Sequence, residues 1–199
     1  MQKQKNNTEI RKVEKNINRL FVNRWSPRAM SGEEISNDDL MGLFEAARWA
    51  PSSYNNQPWR FIYAKRNTDH WQTLISLLVE GNKIWAQNAA VIVVVISRKN
   101  FEFNEKPAIT HQFDAGAAWE NLALEATSRG LVTHGMQGFD YKQAREELGV
   151  PENFDVMAMI AIGKLGQREN LPLNLQEREY PSDRKPLEEI VMEGKFIAS

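Results

Sequence analysis

The sequence predicts an α+β fold. Two apolar runs, Ala89 to Ser97, rich in Val and Ile, and Val156 to Gly163, have the composition of buried strands. Trp59, Phe61 and Tyr63 alternate as a half-buried strand does. Between and around them lie segments with helical periodicity, the longest from about His111 to Arg129.

In chain order, residues 1–8 are polar. From Glu9 to Phe21 the apolar positions Ile10, Val13, Ile17, Leu20 and Phe21 follow a helical period, with Lys and Arg on the remaining face. Residues 1–16 are read as a polar extension or helix, and residues 17–199 as a single domain. Ser36 or Asn37 caps the next helix, Asp38 and Asp39 occupy its first turn, and Leu40, Leu43, Phe44 and Ala47 form its apolar stripe until Pro51 stops it. After the strand at Trp59, a helix is expected from about Asp69 to Glu80. Residues 98–110 read as a loop. The face Ala115, Ala118, Leu122, Ala126 of the long helix is rich in small residues, which suits close helix packing at the centre of the fold or at a subunit contact, and Gly130 ends it. Asp140 caps a short helix that stops before Gly149 and Pro151. After Gly166 the chain turns polar and proline-dotted, so residues 167–199 form a C-terminal arm with few core residues.

Composition excludes several functions. The chain of 199 residues is 42% hydrophobic and 26% charged, enough for one sizeable core. Net charge is -1 and the pI about 6.3, which argues against a nucleic-acid surface. There is no cysteine, which removes thiol chemistry and thiolate metal sites. His70, His111 and His134 have no helical metal-site spacing and no hydrolase order, so no metal is expected. The longest apolar run, Ala89 to Ile96, is too short to span a bilayer, and the polar start lacks a signal-peptide core; a cytoplasmic location is expected, with no membrane partner.

Four motifs carry the chemistry. The loop Ala50-Pro51-Ser52-Ser53-Tyr54-Asn55-Asn56-Gln57-Pro58-Trp59-Arg60-Phe61 packs hydroxyls and amides between two rigid elements, where several donors and acceptors can meet one planar ligand. Upstream stands Arg24-Trp25-Ser26-Pro27-Arg28, downstream Gly130 to Asp140, and near the end Asp183-Arg184-Lys185-Pro186-Leu187. Each is weak alone; their joint order resembles the nitroreductase family of FMN-dependent oxidoreductases, over roughly residues 20 to 190.

The resemblance implies a central, mostly antiparallel sheet flanked by helices, and a homodimer whose C-terminal segments are exchanged between subunits. It implies FMN as cofactor and NAD(P)H as transient electron donor. Arg24, Ser26, Arg28 and Arg184 carry over as contacts to the phosphate and ribityl chain, a task suited to the planar guanidinium fork. Pro51, Ser52, Ser53 and Asn55 carry over as ring and ribityl contacts, from the opposite subunit to the arginine motif. Gln137 and Gly138 align with the pair whose backbone N–H groups approach flavin N5 and O4, and Asn82 with an amide near the pyrimidine edge. Gln57 and Trp59 read as structural braces. Lys185 is undecided; His134 is either near the ligand or simply packed; Phe101 to Phe113, with Phe103 and His111, either overhangs the cleft or is a plain connection. No side-chain nucleophile or acid/base pair is evident, so no catalytic side chain is expected and the chemistry rests on the cofactors. The expected reaction is hydride uptake from NAD(P)H and ping-pong reduction of a nitroaromatic, quinone or similar flat small-molecule acceptor. The alternatives are other flavin chemistry on the same scaffold (dehalogenation, enone reduction, flavin fragmentation) or a non-catalytic flavin-binding protein.

Overall fold

The structure is a computed structural model describing residues 11–197. Four strands, β1 (Trp59–Lys65), β2 (Val91–Arg98), β3 (Val132–Met136) and β4 (Phe154–Gly163), form one antiparallel sheet in the order β1-β2-β4-β3. The central β2 is buried on both faces, which is why its sequence is a continuous apolar run. Its residues still divide by the strand period of two. Ile92, Val94 and Ile96 enter one core, with Trp71, Leu74 and Trp85; Val91, Val93 and Val95 enter the other.

The second core is covered by α2 (Asn37–Arg48) and α5 (His111–Ser128). Ser36 Oγ accepts from Asp39 N at 2.9 Å and starts α2. The small stripe Ala115, Ala118, Leu122, Ala126 is buried there against Leu40, Leu43 and Ala47, so it serves the centre of this fold. Gly130 closes α5 with φ 72°, a left-handed conformation that favours glycine. The first core is covered by α3 (Trp71–Ser76), α4 (Glu80–Ala86) and α6 (Tyr141–Glu147). Asp140 caps α6 by accepting from Gln143 N at 2.9 Å. Beyond β4 lie a 3-10 turn (Arg168–Asn170), α7 (Leu173–Gln176) and α8 (Leu187–Ile190). Among the described residues no helix is long and apolar enough to cross a membrane.

Four expectations need correction. The helix expected over residues 9–21 shrinks to α1 (Arg19–Asn23), with residues 9 and 10 outside the described region. Arg11, Lys12 and Glu14 bond instead to the distant tail, and Asn18 Oδ1 caps α1 at Leu20 N, 2.9 Å. The helix expected over 69–80 is two helices, because Leu78 bridges to Phe139 and Val79 N donates to Gly138 O at 3.1 Å. Strand β3 went unpredicted: Val-Thr-His-Gly-Met lacks alternation and becomes a strand by pairing with β4. The arm after Gly166 contributes more to the core than expected, since Leu171 and Leu175 join the first core.

Candidate functional site

The cations come first. Helix α1 delivers Arg24, whose Nη1 donates to Ser26 Oγ at 3.4 Å and whose Nε lies 3.6 Å from Glu120 Oε1 on α5. Four residues on, the backbone N–H groups of Arg28 and Ala29 donate to Glu179 Oε1 at 2.7 and 2.8 Å. Glu179 Oε2 is buried without a hydrogen bond and faces Arg28 Nη1 at 3.7 Å. Sequence reasoning missed Glu179; a single carboxylate in a polar tail gives no local signal. It also missed Arg11, whose Nη1 donates to Arg24 O at 2.7 Å while its Nε donates to Ser182 O at 3.0 Å. Burial first, then the charges of Arg184 and Arg24, push the Arg11 guanidinium below the usual arginine range, with Asp183 opposing. Arg184 Nη1 is satisfied locally, by Ser182 O at 3.2 Å and Asp183 O at 3.0 Å, and is exposed. Arg24, Ser26 and Arg184 thus meet at one corner through Arg11. Lys185, by contrast, faces Glu189 at 3.7 Å on the surface.

A second group lies on α4 and the loop after β3. Asn82 Nδ2 on α4 donates to Gly138 O at 3.0 Å. A Cβ at position 138 would lie 2.7 Å from Asn82 Nδ2 and 3.0 Å from Val79 Cγ2, so glycine permits this approach. Gln137 is exposed beside it. One turn along α4, Trp85 packs on His134 with ring centroids 4.7 Å apart, and His134 Nδ1 lies 3.1 Å from Pro27 O. Burial, aided by the Arg28 charge, lowers the His134 pKa to about 4. At neutral pH the ring is therefore uncharged, with Nδ1–H donating to Pro27 O. His134 is a packed histidine joining β3 to the arginine motif.

The amide-rich loop is held by its own set of bonds. It holds left-handed backbone at Tyr54 (φ 51°), Asn55 (φ 54°) and Gln57 (φ 47°), an unfavourable run for residues other than glycine. Specific bonds enforce it: Gln57 N donates to Ser52 Oγ at 3.0 Å, and Ser53 N to Asp114 Oδ2 at 3.1 Å. Gln57 Nε2 donates to Asn55 O, and Trp59 is buried. Asp114 is 4% exposed; in the sequence it reads as one more acidic residue near a helix start. Tyr54 packs on Phe101 and Phe103, at 5.4 and 6.0 Å, beside a cleft of about 460 Å³ lined by Asn55, Asn56, Gln57, Arg48 and Phe103. The connection 98–110 therefore abuts the loop. Pro51 is exposed. Among the described residues, no hydrogen bond or ion pair links Pro51, Ser52, Ser53 or Asn55 to Arg24, Ser26, Arg28, Arg184, Asn82 or Gly138.

One constellation is misleading. His111 Nδ1 lies 3.1 Å from Ser97 Oγ and its Nε2 lies 3.7 Å from Asp155 Oδ2, a serine–histidine–aspartate set that chain order concealed. Ser97 is 0% exposed and its hydroxyl donates to His111 O at 2.9 Å, so neither its proton nor its oxygen is free to attack a substrate. His111 is accordingly a buried brace for the start of α5 and does not overhang a cleft.

A family model for the nitroreductase family matches residues 22–81 and 67–164, which hold Arg24, Arg28, the amide-rich loop, Asn82 and Gly138. The chain belongs to the nitroreductase family. Solved nitroreductase-like structures extend the likeness to the tail: a crystal structure described as an oxidoreductase containing FMN is 44% identical, covers 95% of this chain and 97% of its own, and superposes with a TM-score of 0.91. A protein of Desulfovibrio desulfuricans solved in complex with FMN is 27% identical, with a TM-score of 0.71 over 93% of this chain and 100% of that one. Among sequence relatives, a protein of Thermus thermophilus named NADH dehydrogenase is 26% identical over 202 residues, covering 86% of this chain and 92% of its own length.

Proposed function

We propose that this nitroreductase-family chain is an FMN-dependent oxidoreductase. It takes hydride from NAD(P)H and reduces nitroaromatic, quinone or similar flat acceptors by a ping-pong cycle, as a cytoplasmic homodimer with no nucleic-acid or membrane partner. The observation that carries the reading is the corner where Arg24, Ser26 and Arg184 converge through Arg11, with Asn82 and Gly138 on the elements that Trp85 and His134 tie to the arginine motif at Pro27. Clustered guanidiniums of this kind repel one another, and a phosphate dianion relieves that repulsion.

The residues fit FMN. Arg24, Arg28, Arg184 and Ser26 would hold its phosphate and ribityl chain. The backbone N–H groups of Gln137 and Gly138, with the Asn82 amide, would serve the polar ring edge. Among the described residues the Gly138 N–H has no backbone acceptor, while its carbonyl is taken by Val79 N and Asn82 Nδ2. When bound, FMN supplies reversible two-electron chemistry. The chain's part would be to orient the group and to donate hydrogen bonds to its electron-rich edge from Gln137, Gly138 and Asn82.

On this reading one chain supplies half of the site. Among the described residues, Pro51, Ser52, Ser53 and Asn55 make no hydrogen bond or ion pair to the cationic corner, and their loop is held rigid at some conformational cost. The same loop of a second copy would complete the site. The exposed apolar end of the arm, with Ile190, Val191 and Phe196, supports an arm that covers a second subunit.

Purified protein is expected to be yellow, dimeric and to release FMN on denaturation. Anaerobic NADH or NADPH should bleach the flavin band, and a nitroaromatic or quinone should restore it. Protein that neither contains nor takes up FMN sinks this reading, and bound flavin that no nicotinamide reduces sinks its catalytic part.

A further inference from the structure

The segment before α1 has a specific set of partners. Arg11 spans two stretches of backbone from opposite ends of the chain: Nη1 donates to Val22 O and to Arg24 O, and Nε donates to Ser182 O. Lys12 N donates to Asp183 Oδ1 at 3.2 Å, and Leu187 N to Glu14 Oε1 at 3.1 Å. Residues 182–187 are exposed, and Arg184's own bonds are to Ser182 and Asp183, its immediate neighbours. Ordering such a stretch costs conformational entropy at every residue, so something outside it must hold it. Among the described residues, the long-range bonds to it come from Arg11, Lys12 and Glu14. Arginine suits the task because its planar fork offers several donors in fixed directions, whereas a lysine ammonium cannot reach both stretches with the same geometry.

We propose that Arg11 is a positioning residue for phosphate recognition, clamping the segment that carries Arg184 onto the turn that carries Arg24 so that two cations face one anion. This rests on the FMN reading above. The clamp assigns a task to the segment before α1: it folds the C-terminal arm back to the N-terminal arginine motif. Arg11 has its Nε and Nη1 committed to carbonyl oxygens, so its contribution is to geometry first and to charge second. The carboxylates facing the corner, Glu120 at Arg24 and Asp183 beside Arg184, only partly offset the local positive charge.

The test uses the full chain, freed of flavin, in wild type, Arg11→Lys, Arg184→Ala, Arg24→Ala and the double variant Arg11→Lys/Arg184→Ala. FMN and riboflavin are titrated separately by flavin fluorescence, and amide hydrogen exchange of residues 182–187 is followed without ligand. Arg11→Lys keeps the charge but not the fork. It is expected to weaken FMN by about tenfold, leave riboflavin within about twofold, and speed exchange across 182–187. In the Arg184→Ala background it should have no further effect on FMN. Wild-type FMN affinity in Arg11→Lys, unchanged exchange, or losses that simply add in the double variant would each overturn the clamp. If Arg24→Ala and Arg184→Ala lower FMN and riboflavin affinity equally, the phosphate reading fails and the clamp with it. If those two discriminate FMN from riboflavin while Arg11→Lys is silent, only the clamp fails.

Discussion

His134 should make the stability of this protein fall between pH 6.5 and 4, by an amount the structure sets. Its folded pKa is about 4, against an unfolded value near 6.5, because burial against Trp85 and then the Arg28 charge disfavour a charged ring by more than the backbone bonds to Pro27 and Ser26 favour it. Above pH 6.5 both states hold a neutral ring, and His134 adds no pH dependence. As pH falls below 6.5, the unfolded chain takes a proton that the folded chain refuses, so unfolding is favoured. Below pH 4 both states are protonated and the penalty is constant. At about 1.4 kcal/mol per pH unit, the loss over this window is about 3 kcal/mol. His134→Phe keeps an aromatic ring on Trp85 but cannot titrate, and it loses the bond to Pro27 O, worth about 1 kcal/mol. Wild type should therefore be the more stable at pH 8 and the less stable at pH 4, with the curves crossing between about pH 5 and 6. Asp39, Asp183 and Glu45 have lowered folded pKa values, so their stabilisation is also lost in acid, but it cancels in the comparison. Urea unfolding at one protein concentration and one flavin concentration, at pH 8, 7, 6, 5 and 4, measures the difference. A difference that stays constant across that range would refute the buried, neutral His134.

Glu179→Ala should strand the buried N–H groups of Arg28 and Ala29 and cost about 2–5 kcal/mol in urea unfolding, while Glu179→Gln, which keeps an acceptor, should recover over half of it. A loss below about 0.5 kcal/mol in the alanine variant would contradict that role. Gly138→Ala should cost about 1–2 kcal/mol, since its Cβ displaces the Asn82 amide, and Asn82→Ala should relieve much of that cost in the double variant; strictly additive unfolding energies would count against the contact. Ser97→Ala should destabilise by about 1–3 kcal/mol yet leave turnover per bound flavin unchanged, as expected of a buried brace. A loss of turnover in molecules that keep flavin would reopen a catalytic role for Ser97.

Local sequence was enough wherever a segment's own chemistry decides its structure. Ser36 and Asp140 start their helices, Gly130 ends α5, and the apolar runs of β2 and β4 are strands, because capping, left-handed backbone and apolar burial act within a few residues. The four motifs likewise pointed to the family through residue type and order. What local sequence did not contain was partnership across the chain. The period of Ile10, Val13 and Ile17 predicts a helix, yet Arg11, Lys12 and Glu14 find partners more than 170 residues away. Strand β3 exists because β4 offers it a ladder, and the helix expected at 69–80 breaks because Gly138 O claims Val79 N. Glu179, Asp114 and Arg11, which brace the candidate site, looked like ordinary surface charges. Their roles come from bonds to Arg28 and Ala29, to Ser53, and to Arg24 and Ser182, groups that only folding brings within reach. Periodicity and capping are energies of neighbours along the chain, whereas a buried carboxylate or a clamping guanidinium is stabilised by what lies across space, and the tertiary structure alone determines that.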